Sequence, residues 1–598
     1  MPKYSARRAM TALIGTVGLS LAAAGCVSIP SGGPVLSYPV SQGANAQNQY
    51  SLQIVPQPPL RNGIPTDIVS GFITADASFA GQQQVAREYL IPAASHAWKP
   101  GWTATVFKGS PTVTGAAPGA KQKTATVTVE GTVQAFLSDR EAYAAPSATP
   151  KNKTATYHYD LVKDGTQWRI SHAPNTLLLT STEFAVDYQL LNLYFFDPSG
   201  GRLVPDPVYV PLQATEADLV NKLVQSLIKP PGDWIGNATI TKFPLGTQSA
   251  VTVDGGTASV SLAGKAVSKL TDTTKEQISA QLFATLTGAG QGQQQQVKSI
   301  VLTVNGKQFV PRGGNAVQNQ PNRFTSAVGP RQAGFYYLKP TGQLMWRKNL
   351  GDKHPVTIAT IGKGYTSLAV SPDGQFFAAV QGGSLYTGKI GTSKPNSRDV
   401  PGDITSLSWD RNGYLWVVAG STVYRLSALR DAPDVPPTRV TVPARGTCGS
   451  SPGDVTALRV APDGVRVAIV FGGGQETLAF GAIVLEDAPV RSGQQPQSQV
   501  SVDLSPFFVC GSNQAFKAVS WYGAGDVIAL GEPGDTVTSY PVNGGTPTEV
   551  TGPSGSTWIT AAANEGVIVS QARQVSIAPA LSGTWSPFLS ATSPAFPG

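Results

Sequence analysis

The feature that most restricts how this 598-residue chain can fold is a strand–turn–strand unit repeated along residues 331–598. Ser367–Val380 aligns with Ala457–Val470: an apolar run, then Pro372-Asp373-Gly374 or Pro462-Asp463-Gly464, then a second apolar run. Ser406–Ala419 repeats the pattern around Asp410-Arg411-Asn412-Gly413. Ala518–Leu530 does so around Gly523-Ala524-Gly525, and Ile559–Ser570 around Ala563-Asn564-Glu565-Gly566. The turn glycines Gly374, Gly413, Gly464, Gly525 and Gly566 stand 39, 51, 61 and 41 residues apart. That interval suits a four-stranded sheet with its loops, and one such sheet cannot bury its own apolar faces, so the units must stack. Ala333–Trp346, with Pro340-Thr341-Gly342 at its turn, is one more candidate unit. The expectation is a C-terminal β-propeller of five or six blades over residues 331–598.

A chain this long exceeds a single core, so further domains must precede the repeat. With 64 Gly and 47 Pro, short strands joined by turns are favoured over long helices. Residues 61–184 open with Ile68, Phe72 and Ala75 on one helical face. A second helix, Val85–Leu90, ends at Pro92. Strand-like runs follow at Ala125–Val129, Thr132–Phe136, Ala155–Val162 and Gln167–Ile170. Helices followed by a curved antiparallel sheet predict a small α+β unit. Trp98, Trp102 and Trp168 are expected at its core or rim. Residues 185–311 form a second α+β unit. Its apolar Leu193-Tyr194-Phe195-Phe196 run leads into a helix over Glu216–Ile228, with Leu219, Leu223 and Leu227 four apart and Pro230-Pro231 behind. Two alternating strands, a helix around Glu276–Leu286 and Ser299–Gly306 complete it. Residues 312–330, polar and rich in Asn and Gln, are expected to be a linker.

The N-terminus predicts export. Lys3, Arg7 and Arg8 precede an uncharged stretch, Ala9–Ala24, that is short for a spanning helix. It ends Ala23-Ala24-Gly25-Cys26, which resembles the lipobox cut by lipoprotein signal peptidase. The resemblance implies that residues 1–25 are a signal peptide, cleaved between Gly25 and Cys26, and that the Cys26 thiol carries diacylglycerol with an N-acyl chain beside it. Two acyl groups anchor stably where one is marginal. Residues 26–60 read as a tether; about 34 flexible residues span roughly 30–35 Å on average. Loss of three basic residues with the signal takes the net charge from +8 to +5, too mild for a nucleic-acid binder. The two remaining cysteines, Cys448 and Cys510, are expected to form a disulfide outside the cytoplasm, two separate buried thiols being the alternative.

Several resemblances rest on these residues. The first unit resembles the cone of the nuclear-transport-factor fold. The second, through its ordered strands and helices over 185–310, resembles the GerMN domain named from a spore-germination lipoprotein. The repeat turns resemble those of TolB-like propellers. A lipobox, a unit opening on Gly71-Phe72-Ile73-Thr74-Ala75, a GerMN domain and a propeller, in this order, resemble the LpqB family of actinobacterial lipoproteins. The resemblance implies a lipid-anchored protein on the extracytoplasmic face of the cell membrane. It implies contact with the external domain of an MtrB-like sensor kinase, in a two-component system that reports on the cell envelope and division. The alternative is a lipoprotein that binds cell-wall glycan or peptide.

No enzyme is expected. His96, His158, His172 and His354 show no metal-ligand spacing, no phosphate loop occurs, and no cofactor is implied. Ser226-Leu227-Ile228-Lys229 has the Ser-x-x-Lys form of penicillin-binding enzymes, but its Ser-Asp-Asn and Lys-Thr-Gly partners are absent. We predict that Cys26→Ala leaves an uncut precursor or a shed protein. Metabolic labelling with a fatty acid and membrane fractionation check this, and normal acylation with membrane retention would contradict it.

Overall fold

The computed structural model describes residues 56–598 apart from 78–82, 100–102, 141, 145–153, 213–214, 289–296, 321–322, 325–333, 428–435, 444–452, 473–475, 487–498, 511–514, 533–534, 546, 564, 573 and 582–583. Sheets dominate. The architecture is multidomain and mainly β, with a propeller at its C-terminal end.

The first unit packs helices α1 (Pro65–Ala77), α2 (Gln84–Glu88) and α3 (Pro92–Ala97) against a sheet ordered Gln167–His172, Thr154–Asp164, Thr124–Leu137, Ala104–Phe107 and Leu177–Thr180. Ile68, Phe72 and Ala75 face this sheet and are buried. Phe72 meets Trp98 edge-on at 5.3 Å and Tyr159 at 5.9 Å. Trp98 and Trp168 are buried, while Trp102 lies outside the described residues. The runs expected as two strands are one 14-residue strand, Thr124–Leu137. Gly131 does not turn the chain; it lies under the Phe107 ring, where a Cβ would come within 2.6 Å of the aromatic edge. The strand therefore continues from one core, through Val127, Val129 and Val133, into a second, through Ala135 and Leu137.

Helix α4 (Ser181–Asp187) starts at Thr180, whose hydroxyl accepts the Glu183 N–H at 3.1 Å while Glu183 reaches back to the Thr180 N–H at 2.7 Å. It leads into a ribbon of Tyr188–Phe196 and Leu203–Pro211, the second strand buried along its whole length. Beyond it α5 (Glu216–Ile228) buries Val220, Leu223, Val224 and Leu227, and a short turn, α6 (Asp233–Gly236), follows. The strands Gln248–Asp254, Thr257–Ala263 and Ser299–Val304 form a sheet. The last two are parallel and are bridged by α7 (Asp272–Gly288).

Helix α7 is longer than the expected Glu276–Leu286 and is buried on nearly every side, its polar residues included. Three of those residues bond the ribbon. Gln281 donates to the Tyr194 carbonyl at 2.8 Å, Thr285 accepts the Tyr194 N–H at 3.1 Å, and Gln277 donates to the Gly200 carbonyl at 2.8 Å. Part of the stretch expected as a linker is docked here. Val317–Gln318 pairs with Ile300 and Val301, and Phe324 stands edge-on to Phe196 at 5.6 Å. Polar composition suggested a tether, but its one large apolar side chain found a buried ring to cover.

Six four-stranded sheets make the C-terminal ring. Five are sequential, Tyr365–Arg398, Ile404–Val440, Asp454–Cys510, Phe516–Thr551 and Trp558–Leu589, and each begins with its innermost strand. The other combines Phe335–Leu338, Gln343–Arg347 and Val356–Thr360 with the C-terminal strand Thr592–Ala595 as its innermost member. The inner strands lie side by side in a closed circuit, so the chain's last strand closes the ring. The repeat turns carry their glycines at φ 68° (Gly374), 83° (Gly413), 78° (Gly464) and 117° (Gly566); in the blade between, Gly523 at 75° takes this role, not Gly525.

The three units share one core. Tyr143 and Phe184 of the first unit meet Tyr188 and Tyr209 of the ribbon and Phe507 and Phe480 of the ring. Tyr143 lies 5.5 Å from Tyr209, 5.9 Å from Phe507 and 6.0 Å from Phe184. Gly544 supports this packing: its φ is 85°, and a Cβ there would stand 2.3 Å from the Tyr143 ring. We predict that Tyr143→Ala costs about 3–5 kcal/mol, the usual range for removing a buried aromatic. Calorimetry should show one melting transition for wild type and a split one for the variant as the first unit uncouples. A midpoint and shape unchanged from wild type would contradict this.

Candidate functional site

Most residues singled out for function in the sequence fall outside the described ones. Gly25, Cys26, Cys448 and the side chain of Cys510 are among these. The Cys510 backbone ends the strand Gln499–Cys510 opposite Thr477. The four histidines are scattered. His96 sits in α3, His158 in mid-strand with Nδ1 3.2 Å from Thr128 Oγ1, His172 at a strand end, and His354 beside Asp352 in a turn. Among the described residues no three His, Cys, Asp or Glu gather to hold a metal, and no helix is long and apolar enough to cross a membrane.

The structure instead concentrates buried charge where the ring meets the second unit. Asp463, in the Pro462-Asp463-Gly464 turn, accepts the N–H groups of Val465 at 2.8 Å and Arg466 at 2.9 Å. Its other oxygen takes Arg466 Nε at 2.8 Å. Arg466 is fully buried, donates Nη2 to the Ala524 carbonyl at 2.7 Å, and lies 5.0 Å over Trp521. From the ribbon side comes Asp206, also buried, accepting the Gly232 N–H at 3.4 Å. Burial pushes its carboxyl up to about 6, against the pull of that N–H and of the charges on Arg466 and Arg140. Arg140 of the first unit donates to the Pro231 carbonyl at 2.7 Å, so all three units contribute to this neighbourhood.

Around these charges the seam is apolar and bonded. Val204, Ile235 and Ala238 pack on Val465, Ala482 and Val484. Arg202 donates to Asn412 at 2.6 Å, and Asn237 to Asp503 at 2.7 Å. Interdomain contact of this kind, apolar and with buried charge, restrains the rigid-body freedom that linked domains otherwise have. The arrangement holds the three units in one constant relation. Sequence reading took Pro462-Asp463-Gly464 only as a turn. The available signal was Arg466, a cation three residues after the Asp at the start of an apolar strand. Asp206, between Pro205 and Pro207 on the ribbon, offered no signal of burial.

Comparison with known proteins matches three successive segments. The lipoprotein LpqB N-terminal domain model covers residues 58–185, the Germane model of sporulation and spore germination covers 192–310, and the lipoprotein LpqB beta-propeller domain model covers 345–597. Lipoprotein LpqB of Thermobifida fusca is 26% identical over 88% of this chain and 87% of its own length. That of Streptomyces avermitilis is 27% identical over 85% and 84%, and that of Mycolicibacterium smegmatis 27% over 78% and 79%.

Asp206 makes the seam sensitive to pH. Its folded-state pKa lies above the ordinary 3.8, so the folded protein holds the proton more tightly than the unfolded one. The stabilisation is full below the ordinary value and is lost as pH rises through about 6, a change of at most about 3 kcal/mol. Wild type should therefore lose more stability between pH 5 and pH 7.5 than Asp206→Asn, in urea melts at each pH. Identical pH profiles for the two proteins would contradict this.

Proposed function

We propose that this chain, which belongs to the LpqB family of actinobacterial lipoproteins, tunes an envelope sensor kinase by binding the kinase's external domain. The protein is lipid-anchored on the extracytoplasmic face of the cell membrane and serves envelope signalling, as its family does. The particular partner, an MtrB-like kinase, is our reading. The observation that carries it is the seam: three matched segments that share one aromatic core and one buried charge cluster make a single broad binding body. Anchoring protein and sensor in the same membrane raises their effective concentration, so a weak intrinsic contact suffices. The same reading takes Cys26 as the lipidated residue, the first unit as a cone of the nuclear-transport-factor kind, and Cys448–Cys510 as a disulfide bracing the blade that ends at Cys510.

The test compares a strain lacking this protein with its parent for phosphorylation of the response regulator, and measures binding of the lipidated protein in vesicles to the purified sensor ectodomain. Changed phosphorylation together with saturable binding is expected. Unchanged phosphorylation and no binding at ~100 μM, a Kd range at which even weak contacts register, would reject the reading. Co-sedimentation with purified cell wall in the same preparations would then favour the glycan or peptide binder.

A further inference from the structure

The inner strands of the six blades surround a central channel, and Arg459 reaches into it from the strand Asp454–Val460. One nitrogen holds it. Nη1 donates to Ser406 Oγ at 2.6 Å and to the Leu407 carbonyl at 2.7 Å on the neighbouring inner strand, with the Leu458 carbonyl at 3.3 Å. Among the described residues no acceptor meets Nε or Nη2, and neither is sealed from solvent. The guanidinium carbon lies 5.2 Å from the ring centre of Trp558, two blades further round. Trp558 in turn donates its Nε1–H to the Pro594 carbonyl at 3.0 Å on the closing strand. The pair thus crosses the channel.

Among the described residues no carboxylate pairs with Arg459. Two other arginines of the blades have carboxylates: Arg466 has Asp463 at 2.8 Å, and Arg425 has Asp410 at 3.7 Å. Arg459 has burial alone acting on it, which pushes its pKa down to about 10 and leaves it a full cation at neutral pH. A buried charge without a partner is costly unless something supplies the opposite sign. A second irregularity lies next to it. Ser367 and Ser593, on adjoining inner strands, both hold left-handed backbone, at φ 52° and 47°, and the Ser367 N–H donates to Ser593 Oγ at 3.1 Å. Ser593 immediately precedes the Pro594 that receives Trp558. Strained non-glycine backbone persists where its surroundings over-determine it, as at ligand clamps.

We propose that Arg459 and Trp558 form an anion site inside the propeller channel, whose ligand is a small carboxylate with an apolar or planar body. The free Nε–Nη2 edge of a guanidinium matches the two oxygens of a carboxylate, and the indole face covers the group attached to it. This inference stands apart from the sensor reading and survives its failure.

The lipidated protein in detergent micelles would be titrated with N-acetylalanine, with N-acetylalanine amide and with inorganic phosphate, by calorimetry and tryptophan fluorescence. The acid is expected to bind saturably, to raise the melting midpoint of the wild-type protein, and to bind at least about tenfold more tightly than the amide or phosphate. Arg459→Lys, which keeps the charge but loses the fork, should weaken the acid at least about tenfold. No saturation and no shift in wild-type melting at ~20 mM acid would overturn the proposal and leave Arg459 a structural bolt. Tighter binding of phosphate would overturn the carboxylate assignment. Undiminished binding by a folded Arg459→Gln protein would place the site elsewhere. If that variant does not fold, the wild-type titrations decide alone.

Discussion

The joining of the three units depends on the packing of Tyr143 between Phe184, Tyr209 and Phe507. Each of the three units has its own apolar core and could be expected to swing on its connections. The aromatic cluster removes that freedom because rings from all three cores are buried against one another. The strand Thr124–Leu137 carries this coupling. Its first half belongs to the core under α1 and its second half to the shared one, so distorting one core disturbs the other.

Buried charge adds direction to that apolar contact. Apolar packing alone tolerates sliding, but the Asp463–Arg466 pair has one geometry, because both carboxylate oxygens and two guanidinium nitrogens, Nε and Nη2, are already committed to named partners. Asp410 is committed in the same way in another blade, through the Asn412 and Tyr414 N–H groups and the indole of Trp416 at 3.0 Å. The repeat motif thus uses its aspartate first to hold a turn. In the blade facing the second unit the same residue also anchors a cation beneath the seam. Arg459 stands outside this rule, since it pairs with no carboxylate among the described residues.

Closure of the ring explains why the C-terminal strand matters to a contact far from it in sequence. Thr592–Ala595 supplies the inner strand of the blade that begins at Phe335, so the ring has no free inner edge. Serine hydroxyls stitch neighbouring inner strands: Ser406 bonds the Leu458 backbone, Ser408 accepts the Val460 N–H, and Ser520 accepts that of Ala561. A ring so closed is a stiff platform for the units docked on one side of it.

Local sequence was enough for whatever depends on local periodicity and turn chemistry. The helix Glu216–Ile228, the burial of Ile68, Phe72 and Ala75, and the strand–turn–strand repeats follow from apolar spacing and from glycines that accept positive φ. The order of the units was legible for the same reason. Tertiary structure alone decided the rest. That Gly131 continues a strand, that α7 is buried on its polar side, and that Phe324 docks a segment of linker composition all depend on partners distant in sequence, Phe107, Tyr194 and Phe196. The union of the three units was illegible for a deeper reason. A tyrosine in a two-residue strand has the same local pattern whether it faces water or three other aromatic rings. Only the closed ring, which brings Phe507 and Gly544 to the edge of the first unit, makes Tyr143 a core residue.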